Sequence, residues 1–474
     1  MTSLTANNRI FFFTATALFV LTLALSIITE YYYLLAIPFA VLLFQTGWVS
    51  FSAIFLLLIA SIPFSTEVLI TESLGTDLPD EMLMLLVSVL FFFHLINNTT
   101  AFFKIIWHPL VWLVLVSFCW SAISLAFSTH IVLSVKFLLA KSWYMCAFLA
   151  ATFLVNSKKD ELKRIATTLA LSMFVCTMII FIRHAALGFS FAGINDAVDP
   201  FFRNHVNYSA LLVCTLPVWY GYWKLFPASQ KLVAVVIAIL LIALFLSYAR
   251  GAWLALLVAI ITGWLMMKKV VIRVLMITVM VTTIAVGWLA YDDQYLRFAP
   301  DQSETIFHED FREHLVATYE MKDLSAAERF YRWIAGVRMI PDHWLTGFGP
   351  GTFYHNYKPY AVPAFETWVS ENEEHSTVHN YFLLTAIEQG IPGLVLLLLL
   401  AGSILFYAQR LYHRIKDPFY RIASFITGLI FSMILTLNLL SDLIETDKIG
   451  SLFFLCIAVL VILDKKTAGK AENV

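Results

Sequence analysis

Residues 231–269 read KLVAVVIAILLIALFLSYARGAWLALLVAIITGWLMMKK. Two apolar runs, 231–249 and 251–267, lie between terminal lysines and meet at Arg250-Gly251 with almost no loop. A membrane-spanning helix needs about 20 mostly apolar residues, and each run comes close to that length. The chain is therefore predicted to cross, turn tightly where Gly251 permits it, and cross back. Lys231 and the Lys268-Lys269 pair then share one side, and Arg250 stands on the other.

The same pattern extends in both directions. We predict candidate spans at 10–29, 33–45, 48–65, 82–98, 108–126, 135–155, 164–183, 205–223, 231–249, 251–267, 272–290, 380–408, 422–440 and 448–463. The piece 33–45 is the shortest and has Pro38 in its middle, so it reads as a short or re-entrant segment. The run from Ile10 to Ile28 lacks a small-residue cleavage site and reads as a retained span. Composition agrees: 60% hydrophobic, 15% aromatic and 13% charged, with a mean hydropathy of +0.81. The expected fold is all-α, a polytopic membrane helix bundle of about 12–14 transmembrane helices. A net charge of −1 offers no electrostatic footprint for nucleic acid. The five cysteines lie scattered within apolar segments and form neither a disulfide framework nor a metal-ligand spacing.

Lysine and arginine in short loops set the orientation. With Arg9 inside, the inside loops collect Lys104; Lys158, Lys159, Lys163 and Arg164; Lys224 and Lys231; Lys268, Lys269 and Arg273; Arg410, Arg414, Lys416 and Arg421; and Lys465, Lys466 and Lys470. The stretch Glu67–Glu81, assigned outside, has no lysine or arginine. Both termini are then cytoplasmic, and the long segment 291–379 is periplasmic. Four regions follow: 1–204, N-terminal transmembrane helices; 205–290, helices carrying the arginine motif; 291–379, one large periplasmic loop; and 380–474, C-terminal helices. Within the loop, Phe330, Trp333, Ile334 and Val337 recur at helical spacing over Ala326–Ile340, predicting an amphipathic helix that Pro341 ends.

A cation close to hydrocarbon costs roughly 2.5–3.5 kcal/mol on insertion scales, so it usually has a partner or a task. Lys136, Lys141, Arg183, Arg203 and Arg250 all lie near the outer side. Arg250 precedes a helix N-terminus, where free N–H groups and a guanidinium suit phosphate oxygens; the plain alternative is a side chain reaching lipid headgroups. Arg203 lies on the same face, one residue before Asn204, a candidate helix cap. Lys136 and Lys141 project about 140° apart on one helix, so only one is expected to face a site; Lys136, nearer the surface, is preferred. Arg183 reads as an interface anchor. His379 opens the helix after the long loop, where an imidazole can take a proton from a hydroxyl.

His375 and His379 are spaced for zinc, but the HExxH order is absent, and no metal is expected. Residues 347–351, GFGPG, imitate a phosphate loop only superficially and read as a tight turn. Glu388 reads as a buried structural acceptor, beside glycines and a proline that bend its helix.

These pieces resemble the O-antigen ligase and polymerase superfamily of bacterial envelope glycosyltransferases. The resemblance rests on Ser247 to Trp253, on Arg332-Trp333 through His343 to Gly351, and on His379-Asn380 through Glu388 to Leu394. The chain has Tyr248-Ala249 where that superfamily commonly has serine-like residues. The resemblance implies transfer of a glycan from undecaprenyl diphosphate to a hydroxyl acceptor, such as a lipid A-core sugar, at the periplasmic face of the inner membrane. It further implies no cofactor, His379 as base, and Arg250 and Arg203 as diphosphate ligands, to which the charge pattern adds Lys136. Expected partners are the lipid-linked donor, the acceptor glycan or lipid A-core, and membrane lipids, with no nucleic acid. A polysaccharide polymerase, a protein O-oligosaccharyltransferase and a polysaccharide transporter are the alternatives.

Overall fold

A computed structural model describes residues 50–71, 74–97, 106–154, 159–298, 324–366, 370 and 377–468, together with Leu21, Thr22, Val41 and Leu43. The spans expected at 10–29 and 33–45 lie almost wholly outside the described residues. The chain is an all-α polytopic membrane bundle with almost no strand. Its helices are α1 Phe51–Ser61, α2 Asp80–Asn97, α3 Pro109–Leu125, α4 Ile131–Leu149 and α5 Lys159–Ala186. They continue as α6 His205–Leu225, α7 Gln230–Leu246, α8 Arg250–Met267, α9 Val271–Ala290 and α10 Leu324–Met339. The last three are α11 Tyr381–Arg414, α12 Pro418–Leu437 and α13 Asp447–Ala468.

Seven of the described helices, α4, α5, α7, α8, α9, α11 and α12, are long and apolar enough to cross a membrane; α1 and α3 are shorter apolar helices. Helix α12 is the axis of the C-terminal half, packed by α8, α11, α6 and α13. Local chemistry sets several boundaries. Asn204 Oδ1 accepts from Val206 and Asn207 at 3.0 Å, capping α6 as expected. Asp417 caps α12 ahead of Pro418. Helix α10 falls on the expected amphipathic stretch and gives way to a 3-10 turn at Pro341.

Two features depart from the sequence expectations, and a third sharpens the bend expected beside Glu388. The acidic stretch after α1 forms an antiparallel hairpin, β1 Thr66–Thr71 with β2 Leu74–Leu78, in the register Thr66↔Leu78 and Glu67↔Asp77. The α7–α8 turn is made at Tyr248, whose φ is +57°, and Gly251 already lies inside α8. The Tyr248 hydroxyl donates to the Phe189 carbonyl at 2.6 Å, and that anchor holds the turn from outside. Finally, α11 is broken at Gly390, with φ +70° and ψ −178°.

The break at Gly390 explains the GFGPG turn. Opening a helix inside a membrane strands backbone groups, and these must find protein partners. Phe348 and Gly349 donate to the Ile387 and Glu388 carbonyls at 3.0 Å, and Ile391 donates to Trp344 at 2.8 Å. Trp120 Nε1 donates to the Gln389 carbonyl at 2.8 Å. The turn therefore spends its N–H groups on the broken helix and has no phosphate-loop character.

Candidate functional site

The face of the bundle reached by the long 291–379 segment is termed the loop face, and the opposite one the lysine face. His379 lies at the loop-face start of α11, just ahead of Asn380, whose side chain accepts from Phe382 and Leu383 at 3.1 and 3.0 Å. Asn380 is thus the cap, and His379, with φ +53°, is the turn residue outside the helix. Its backbone is held on both sides. Trp333 Nε1 of α10 donates to the Val378 carbonyl at 2.9 Å. Arg332 pairs with Glu328 at 3.0 Å and reaches the Thr377 carbonyl at 3.5 Å. Tyr381 N–H is shared between the Asn438 and Ser441 carbonyls, at 2.9 and 3.1 Å. The imidazole is half-buried, with Nδ1 3.8 Å from Asp442 Oδ1.

Asp442 belongs to the connection between α12 and α13, and that connection organises the face. A Cβ placed on Gly251, next to Arg250, would lie 3.7 Å from Leu440. Gly251, at the start of α8, therefore adjoins Leu440, two residues from the Asp442 that faces His379. Arg250 is the first residue of α8, where N–H groups at the helix start have no intrahelical acceptor. Lys141 reaches the same connection from α4, donating to the Tyr381 hydroxyl at 3.0 Å and pairing with Glu445 at 3.5 Å. Lys141 therefore ties the start of α11 to the turn that carries Asp442. Lys136, the preferred lysine, is exposed on α4 and makes no ion pair among the described residues.

Arg203 is further along the same face. Its Nε and Nη2 donate to the two carboxylate oxygens of Glu67 on β1 at 2.8 and 2.6 Å, a bidentate pair. Asp77, opposite Glu67 in the hairpin, interacts electrostatically with Asp447 and Lys448 at the start of α13, which extends the cluster to the α12–α13 connection. Arg183 clasps a loop: its guanidinium donates to the Asp199 carbonyl and, at 3.0 Å, to that of Asp196. His375 lies outside the described residues, and among those described no group of three or more His, Cys, Asp or Glu could hold a metal ion.

Burial, and next the nearby Asp447 carboxylate, push Asp77 from its ordinary 3.8 up to about 6. The folded hairpin thus holds a proton more tightly than the unfolded chain does. Its contribution to stability is fully present below pH 4 and is lost as pH rises through about 6. Hydrogen exchange of residues 66–78, corrected for its intrinsic pH dependence, is expected to show protection falling between pH 5 and 7. Asp77→Asn should lessen that fall, and a flat profile in the native protein would contradict the assignment.

Glu388 is buried in α11 and accepts from the Gly351 and Phe353 N–H groups at 2.8 and 3.0 Å. It faces the GFGPG turn, in keeping with the structural role expected of it. Sequence reasoning missed Asp442, Glu445 and Glu67. Asp442 and Glu445 sit in a polar break between two apolar runs, the one local signal that could have marked them.

Residues 235–398 match the family model described as O-antigen ligase. The matched segment runs from α7 into α11 and includes Arg250, the long segment and His379; Arg203 and Asp442 fall outside it. The match supports the O-antigen ligase and polymerase superfamily indicated by the sequence motifs. Members of that family are glycosyltransferase-like enzymes. No curated protein matches the chain.

Proposed function

We propose that the protein transfers a glycan from undecaprenyl diphosphate to a hydroxyl of an acceptor glycan, with lipid A-core as the acceptor and the O-antigen as the cargo. The observation that carries this reading is that the start of α8, at Gly251, and the His379–Asp442 pair both adjoin the α12–α13 connection, within and beside the matched domain. Lysine and arginine on the opposite side support a periplasmic loop face, in an inner membrane with both termini cytoplasmic.

In this mechanism His379 takes the proton from the acceptor hydroxyl as its oxygen attacks the anomeric carbon. The bond from that carbon to the diphosphate oxygen breaks, and the lipid diphosphate leaves with the electron pair. Inversion at the anomeric centre follows from a single displacement. Asp442, close to Nδ1, favours the imidazolium that forms. Arg250 and the first N–H groups of α8 offset charge on the departing diphosphate. Arg203 joins them by exchanging the two oxygens of Glu67 for phosphate oxygens. Lys136, exposed on α4, would add its charge to this group. Lys141 positions Tyr381 and Glu445.

The test is reconstitution of the purified protein with lipid-linked donor, candidate acceptors and a chelator, followed by product mass. One glycan joined to lipid A-core is expected, and Arg250→Ala should weaken donor affinity by about tenfold or more, the scale of a lost charge-assisted contact. Glycan lengthened on its carrier lipid would instead identify a polymerase. Movement of intact donor without cleavage would identify a transporter.

A further inference from the structure

A crevice opens on the lysine face between α5, α6, α12 and α13, on the opposite side of the bundle from the His379 site. Its cavity is about 110 Å³ and its lining is almost wholly apolar. Lys163 is the one charged side chain among its described lining residues. At the mouth, Lys163 Nζ lies 4.5 Å from the Phe226 ring centroid, and the Tyr222 hydroxyl donates to the Lys163 carbonyl at 3.3 Å. The deep end is formed by Ile430 of α12 and Leu452 of α13, both buried.

The depth fits one leaflet. Along α12 the lining runs from Phe419 to Ile430, which at about 1.5 Å per residue is roughly 16 Å. Half of a hydrocarbon core of about 30 Å is nearly the same. Charge at the mouth favours an anion: the surrounding helix ends add Lys159, Arg164, Lys224 and Lys466 against Asp160, Glu161 and Asp417. Lys159 is already paired with Asp417 at 2.7 Å. Lys163 makes no ion pair among the described residues, and its ring contact with Phe226 leaves its other N–H groups free to meet a phosphate.

We infer that this crevice binds one acyl chain of an anionic glycerophospholipid from the lysine-face leaflet, with the lipid phosphate at Lys163. The geometry separates this lipid from the donor, whose diphosphate is assigned to the loop face. The inference rests on the crevice alone and stands whether or not the transfer reaction is as proposed.

The experiment uses the full chain in phosphatidylcholine nanodiscs containing a minor share of phosphatidylglycerol, with a photoreactive group at mid-chain on either lipid. After irradiation, labelled peptides are read by mass spectrometry. Phosphatidylglycerol is expected to label residues 419–430 and 452–459 in preference to phosphatidylcholine. Lys163→Met should cut that preference roughly fivefold, the effect of one lysine near a membrane surface. Ala423→Phe, which fills the crevice, should abolish labelling there by either lipid. Lys163→Met is exposed and leaves the packing intact, so it remains informative if the filled variant misfolds. Equal labelling by the two lipids, or an unchanged preference in Lys163→Met, would overturn the inference. So would preferential labelling of the crevice by a photoreactive polyprenyl phosphate.

Discussion

His379→Ala is expected to lower glycan transfer by about 10²–10⁴-fold, the range for removing a positioned base, with protein level and donor affinity unchanged. The fold should tolerate the change because the features that set this corner are not made by the imidazole. Asn380 caps α11, Trp333 holds the Val378 carbonyl, and Tyr381 N–H bonds to Asn438 and Ser441. Alanine keeps the left-handed backbone at this position, as histidine already does. A purified His379→Gly variant is expected to recover part of its rate in added imidazole, because the emptied space beside Asp442 can admit a free base. Rescue of that kind separates a chemical role from a structural one. Near-normal turnover by purified His379→Ala would remove His379 from the mechanism. Asp442→Asn should cost less than loss of His379, since it removes the carboxylate 3.8 Å from Nδ1 and leaves the imidazole in place.

The parts of the fold legible in the sequence are those written locally. Apolar runs placed α4 to α9 and α11 to α13 to within a few residues at most ends. The amphipathic stripe placed α10, and Asn204 marked the start of α6. The hairpin after α1 was not legible. Its strands are short, with one carboxylate each, and a long-range contact secures it: Arg203 on Glu67. The pairing of Lys141 was not legible for a related reason. Helical geometry showed that only one of Lys136 and Lys141 could face a site, but the partners of Lys141, Tyr381 and Glu445, lie more than 200 residues away in the chain. For the candidate site, residue types were legible and partnership was not. Arg203 was visible as an isolated cation, whereas its pairing with Glu67 depends on a hairpin that periodicity could not reveal.

Glu388→Leu is expected to be the most damaging single change to stability in the C-terminal half. The carboxylate accepts from N–H groups of the turn that docks on the break at Gly390. It accepts from Gly351 at 2.8 Å and from Phe353 at 3.0 Å, and both donors face it from the turn docked on α11. Leucine leaves the buried Phe353 N–H without an acceptor, at about 1–3 kcal/mol, and takes the acceptor from the exposed Gly351 as well. The turn cannot readily move to compensate. Gly347, with φ +71°, lies so close that an added Cβ would overlap the Glu388 backbone; a Cβ on Gly390 would likewise overlap the Leu345 carbonyl. Glutamine keeps one acceptor oxygen and presents an NH₂ to the second donor, so Glu388→Gln should lose about half as much. Thermal unfolding in detergent, followed by loss of the monodisperse peak, should therefore rank native above Gln above Leu. Transfer activity, measured per folded molecule, should fall much less than stability in Glu388→Gln. The opposite result, a native melting temperature with transfer abolished, would make Glu388 a participant in the chemistry and would end its assignment as a backbone acceptor.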